Sequence, residues 1–288
     1  TGQTNVIWTL CAFIVNSIGI NMDECYYKKE IKYLEDKENI IYENIKTQIV
    51  SNKGEYPLLD GIIDLKKYVS SKYKILWILR EPIDNWRIDT NTKENIIGGW
   101  NLSKDLYSKS TFDTICSNVT TRRELLIDYA ILYNIIHKES ELHKYTILKT
   151  NDEKEKALEC FKSTAVINIK KIPGKKLSIK KEINNAFYKY KNIILEQISL
   201  YNPDIVICGN TLQYFEDYLD FRKGDKFPTG IKGHNYFCLK NRIYINIYHP
   251  SNKPFKNTKY EHKYIHCVVS AVRHWEKDYK ECRTTAST

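Results

Sequence analysis

"YNPDIVICGN", residues 201–210, decides how the chain is read. Asn202-Pro203 cannot continue the helical pattern before it, because the ring of a proline pushes the preceding residue out of helical geometry. Ile205 to Cys208 then form an apolar run too short for a helix and bounded by Gly209-Asn210, the signature of a buried strand ending in a turn. Upstream, "EINNAFYKYKNIILEQISLY" (182–201) carries apolar residues at helical spacing. A helix running directly into a buried strand belongs to an alternating α/β chain, whose strands lie parallel with both faces covered.

Three further short apolar runs extend the pattern: "KILWIL" (74–79), "TAVINI" (164–169) and "RIYINIY" (242–248). Between the first two, "TTRRELLIDYAILYNIIHK" (120–138) is expected to be a helix, with Thr121 and Glu124 spaced as a capping box. A closing helix is expected through "CVVSAVRHWEKDY" (267–279). Residues 23–50 are charge-rich, with Ile31, Leu34, Ile40, Ile41 and Ile45 at helical intervals. They read as surface helices, so 1–60 is expected to be an N-terminal helical appendage and 61–288 the main α/β domain.

With 45 Lys+Arg against 35 Asp+Glu, the 288 residues carry a formal +10, which favours a polyanionic partner such as nucleic acid or, equally, simple solubility. Heavy use of Lys, Ile, Asn and Tyr also fits an AT-rich genome, so placement of the charge has to decide. The eight cysteines stand singly, without CxxC or a close Cys/His pair, and read as reduced thiols of a cytoplasmic protein without metal or cofactor. Residues 5–20, "NVIWTLCAFIVNSIGI", are too short and too polar to span a bilayer and lack a basic n-region, so a packed element is expected and no membrane partner. The chain opens on threonine, which points to a start that is missing or replaced.

Open α/β sheets bind ligands outside the carboxyl ends of their strands. After the four runs come Arg80-Glu81-Pro82, Asn168 followed by "IKKIPGKK", Gly209-Asn210, and His249-Pro250-Ser251. A carboxylate, an amide, a glycine turn and an imidazole are thus expected around one mouth. Each has a plainer reading alone: a solvated loop acid, a satisfied buried amide, a turn histidine.

In this order, the residues resemble the uracil-DNA glycosylase superfamily, over roughly residues 70–275, with "YNPDIVICGN" and "HPS" the closest segments. The resemblance implies a three-layer α/β/α sandwich with a central four-stranded, mainly parallel sheet. It implies a monofunctional DNA glycosylase, a hydrolase that flips a base out of DNA and cuts its N-glycosidic bond to leave an abasic site. Glu81 and His249 would then be catalytic, with Asp84 as the reserve acid. Asn168 would bind the base, and Trp100 in "IIGGWNLS" would stack on it, with Trp86 competing. Lys170, Lys171, Lys175, Lys176, Lys180 and Lys181 would face phosphates. So would Ser251 and Lys253, with Lys256, around Phe255 as an apolar wedge.

Departures shape the expected substrate. Leu79 stands where the family has glycine, and Ile83 where uracil enzymes have a tyrosine that excludes 5-substituted bases. The loop 83–111 is long, and Ile172 replaces an iron–sulfur cysteine, so no cluster is expected. Together these favour a 5-modified pyrimidine, such as a modified cytosine of phage DNA attacked in antiviral defence. The alternatives are ordinary uracil repair and a catalytically silent DNA-binding scaffold. A monomer is expected.

Overall fold

The structure, a computed structural model, describes residues 22–49, 54–82, 87–89, 92–133, 148–174, 179–252 and 258–285. In chain order the first half holds α1 (Met22–Gln48), β1 (Gly61–Ile62), α2 (Leu65–Ser70), β2 (Ile75–Leu79), β3 (Arg87–Ile88) and β4 (Asn95–Ile96). Then come α3 (Phe112–Ser117), α4 (Val119–Leu132), α5 (Asn151–Lys162), β5 (Ala165–Asn168) and α6 (Lys180–Tyr201). The rest is β6 (Ile205–Gly209), β7 (Asp225–Pro228), β8 (Asn235–Leu239), β9 (Arg242–Ile247) and α7 (Thr258–Thr285).

The chain is α/β, as expected, but its main sheet has seven strands where four were expected, in the order β1-β5-β2-β6-β9-β8-β7. The four anticipated runs are the parallel centre, β5-β2-β6-β9. Antiparallel strands extend it: β1 on one side, β8 and β7 on the other. The sequence conceals these three for physical reasons. β1 is a Gly-Ile pair, β7 ("DKFP") is mostly exposed and ends in proline, and β8 ("NYFCL") contains no β-branched residue.

Alternation within each central strand sends side chains to opposite faces. Ile75, Trp77 and Leu79 of β2 join Val166, Ile207 and Ile245 in a core that includes α4, α5 and α7. Leu76 and Ile78 join Ala165, Ile167 and Val206 in a second core that includes α1 and α6. Trp77 has no exposed surface, and its truncation to alanine would cost about 3–5 kcal/mol.

The helix expected in an N-terminal appendage is part of this second layer. Leu34, Ile41, Tyr42, Ile45 and Ile49 are buried against the sheet core, and the Glu38 carboxylate accepts from the Ile62 amide at 3.1 Å. Apart from Glu38, its polar residues lie mostly on the outer side, which is why it reads as a surface helix. Residues 5–20 lie outside the described residues. Among the described residues, no helix is long and apolar enough to cross a membrane.

Helix ends follow local chemistry. Asn202 closes α6 in the left-handed region at φ 42°, which asparagine tolerates, and Pro203 follows. The expected capping box at Thr121 and Glu124 does not form. Asn118 caps α4 instead, Thr121 donates to Ile115 O, and Glu124 is fully buried one turn further on. A capping box does start α5, between Thr150 and Glu153. Strand register brings Leu79 beside Asn168 and Gly209 beside Ile247, so Arg80-Glu81, Asn168, Asn210 and His249 share one edge of the sheet.

Candidate functional site

At that edge lies a pocket of ≈ 260 Å³ whose walls include Glu81, Asn168, His249 and Trp100 together. Four residues that lie 19 to 168 positions apart in sequence thus line one cavity. The rest of the wall includes Leu102, Leu106 and Tyr107, on a π-helical turn within the long loop 83–111 that was expected to enlarge the pocket, and Ile115, Ser117, Asn118, Thr120 and Thr121 where α3 meets α4, which were not anticipated. π-helical turns are rare and often sit at functional sites. This one is latched to β1 by Ser103, whose hydroxyl donates to Gly61 O at 3.0 Å and accepts from Gly61 N at 3.1 Å.

Asn168 ends β5 and is buried. Its backbone N–H and its Nδ2 both donate to Asp60 Oδ2, at 2.7 and 3.1 Å. The other Asp60 oxygen accepts from Lys171 Nζ at 2.6 Å, and Lys171 also donates to Gln197 Oε1 at 2.8 Å. Gln197 Nε2 returns a hydrogen bond to Asp60 O at 2.8 Å. Neither charged side chain of the pair is exposed at all. Burial pulls the Lys171 ammonium below its usual range, and Asp60 opposes that pull. Asn168 Oδ1, turned from the carboxylate, has no partner among the described residues.

His249 follows β9. Its Nδ1 accepts from the Ser251 backbone N–H at 3.2 Å and lies 2.8 Å from Ser251 Oγ. Because an amide can only donate, the neutral ring carries its hydrogen on Nε2. Part of the ring surface opens into the pocket, yet desolvation by the surrounding atoms, with Arg80 adding positive charge, brings its pKa down from 6.5 to about 4. The imidazole is therefore an uncharged donor at neutral pH.

The turn that carries His249 is braced from two helices. Buried Arg123 of α4 donates through Nη1 to Pro250 O and, at 3.4 Å, to Asn252 O. Its Nε reaches Glu261 of α7 at 3.3 Å, and Tyr264 OH donates to Tyr248 O at 2.8 Å. The only hint of this in the sequence is an arginine on the apolar face of "TTRRELLIDYA".

Glu81 is buried, with Oε2 held by Lys170 Nζ at 2.9 Å. Gly174 lies flat against this carboxylate: a Cβ there would come within 1.9 Å of Oε2, so any larger residue would have to displace the Glu81 side chain. Trp100 is half-buried and packs on the core from the pocket side. It follows Gly98, at φ 75°, where a Cβ would strike Tyr56 O at 1.9 Å.

The expected phosphate clamp needs correction. Lys171 is fully buried in the Asp60 pair, because the chain turns inward there, and Lys170 is engaged by Glu81 and Glu182. Neither is a free surface cation. Lys180 and Lys181 are exposed at the start of α6. Ser251, expected at a phosphate, bonds His249 instead. Lys175, Lys176, Lys253, Lys256, Phe255, Ile83, Asp84 and Trp86 lie outside the described residues.

Behind the α4 wall sit two more buried acids. Trp77 Nε1 donates to Asp128 Oδ1 at 2.9 Å, while both Glu124 oxygens lack a partner among the described residues. Desolvation drives both carboxyls well above their usual range.

No protein-family model, curated protein or solved structure matches this chain.

Proposed function

We propose that the protein is a DNA glycosylase whose pocket takes a flipped pyrimidine and hydrolyses its N-glycosidic bond. The observation that carries this reading is the convergence of Glu81, Asn168, His249 and Trp100 on one cavity at the carboxyl ends of β2, β5 and β9. In the same reading, the four parallel strands with helices on both faces are a uracil-DNA glycosylase-like α/β/α sandwich bearing extra edge strands.

The chemistry follows from the side chains. As the bond between sugar and base breaks, its electron pair goes to the base and positive charge grows on the sugar. Glu81 stabilises that charge and accepts a proton from the attacking water. His249 donates Nε2–H to the base oxygen as it becomes negative, and its neutrality leaves the proton where it is. Asn168 reads the base edge and Trp100 stacks on its face. Water oxygen ends on the sugar carbon, which yields an abasic site and a free base. No metal or cofactor enters this scheme.

The pocket wall extends beyond these four residues to the hydroxyl-bearing residues Ser110, Thr114, Ser117, Thr120 and Thr121 and to Asn118. This polar extension supports a pyrimidine with a polar 5-substituent, such as a modified cytosine of phage DNA, over plain uracil. One contact favours a second reading, a silent DNA-binding scaffold: Lys170 already occupies Glu81 Oε2.

The test is incubation with oligonucleotides containing uracil and with phage DNA containing modified cytosine, followed by mass spectrometry of released bases and alkaline cleavage at abasic sites. Glu81→Gln and His249→Asn are each expected to cut release by about 10²–10³-fold with DNA binding little changed. DNA binding without release of any base would establish the scaffold instead.

A further inference from the structure

The Asp60–Lys171–Gln197 network has no place in the chemistry above, although it is the most completely buried charge pair among the described residues. A buried ion pair is poor evidence of stabilisation, since packed apolar residues often do as well; its retention calls for another role. Every strong acceptor position of Asp60 is used: Oδ2 by two donors of Asn168, Oδ1 by Lys171, the carbonyl by Gln197. This has a consequence for the neighbouring amide. A carboxylate only accepts, so Asn168 must turn its NH₂ toward Asp60, and the flipped amide would set two oxygens about 3 Å apart. Oδ1 is then forced the other way, where it is buried, unpartnered, and part of a residue that lines the pocket.

We propose that Asp60, ion-paired with Lys171, is a specificity-determining positioning residue that fixes the Asn168 carbonyl as the acceptor offered to the occupant. The pocket consequently takes bases that donate a hydrogen bond at that edge, through a ring N3–H or an exocyclic amino group, and rejects bases whose donor is blocked. This rests on the nucleobase-pocket reading. Leaving a buried carbonyl unpaired is what penalises the wrong base.

The test uses the full chain and free bases, so it needs no turnover. Uracil, 3-methyluracil and thymine are titrated while the fluorescence of the tryptophans and the side-chain amide resonance of Asn168 are followed. Thymine keeps N3–H and carries its methyl elsewhere, which controls for bulk; cytosine and N4,N4-dimethylcytosine repeat the comparison at the amino group. The expected result is that each N-methylated base, blocked at its donor, binds at least about tenfold more weakly than its parent and that thymine does not share this loss.

In the double variant Asp60→Leu with Lys171→Met, which removes both charges and the shared acceptor together, the Asn168 amide is free to rotate and discrimination is expected to fall below about threefold. Equal binding of parent and blocked bases by the native protein overturns the proposal while leaving the base pocket standing. Discrimination that survives intact in a folded double variant overturns it too. If no base binds, the pocket reading falls and the proposal falls with it.

Discussion

The Asn168 wall of the pocket is held by an anion and a cation that never meet water, whereas the His249 wall is a braced turn whose imidazole carries no charge. On the first wall the polar atom left unpartnered is an acceptor, Asn168 Oδ1, with the Asp60 carboxylate holding the NH₂ on its other side. On the second the polar atom is a donor, and the ring's tautomer follows from a single backbone N–H. Charge buried beside an amide fixes direction, while exclusion of charge from an imidazole preserves a proton on the correct nitrogen. The two walls should therefore fail in different ways.

The largest effect is expected where a buried charge loses its partner. Lys171→Met leaves the Asp60 carboxylate buried with hydrogen bonds but no cation, and should destabilise the fold by about 3–5 kcal/mol in denaturant melts. Adding Asp60→Asn should recover much of that loss, because the uncompensated charge disappears. A single variant as stable as the native protein would mean that the pair is not fully desolvated in solution.

On the opposite wall, Arg123→Met removes the hydrogen bonds to Pro250 O and Asn252 O, but Glu261 keeps Arg122 at 3.0 Å, so no charge is stranded. The expected loss is smaller, about 1–3 kcal/mol. Its signature is local: amide exchange at Ser251 and Asn252 should accelerate while amides around Asp60 stay protected. Uniform acceleration would show that the two walls unfold together and that the contrast between them is only formal.

The same contrast explains what could be read from residues alone. Central strands and the helices between them were legible because burial on both faces leaves continuous apolar runs. The strand ends were legible because chemistry-bearing residues there interrupt those runs, as at Arg80-Glu81, Asn168 and His249-Pro250. Partnership was not legible. Lys171 is one lysine among six near neighbours, and only the fold shows that it turns inward to an aspartate 111 residues away. Asp60 and Arg123 likewise look like surface charges until long-range packing encloses them. Local periodicity reports which face a residue occupies, and the depth of a polar group depends on elements far away in sequence.

The smallest predicted effect concerns the charge state of the His249 wall. Burial is the main reason its pKa lies at about 4, and the positive charge of Arg80 is the lesser one. Since protonation is disfavoured in the folded state, the contribution of His249 to stability is present in full above pH 6.5, the ordinary value for histidine. It is lost progressively as pH falls from there through about 4. Arg80→Gln removes only the coulombic part. The imidazole should then titrate above 4 yet below 6.5, as followed by its ring-carbon proton resonances, and the stability loss between those two pH values should become shallower. Base release should gain a matching acid limb at the higher value, because protonating Nδ1 sets a second donor against the Ser251 N–H and breaks the turn that aims Nε2. If the variant instead titrates at the ordinary histidine value, Arg80 rather than burial keeps the ring neutral, and this wall too is governed by a fixed charge.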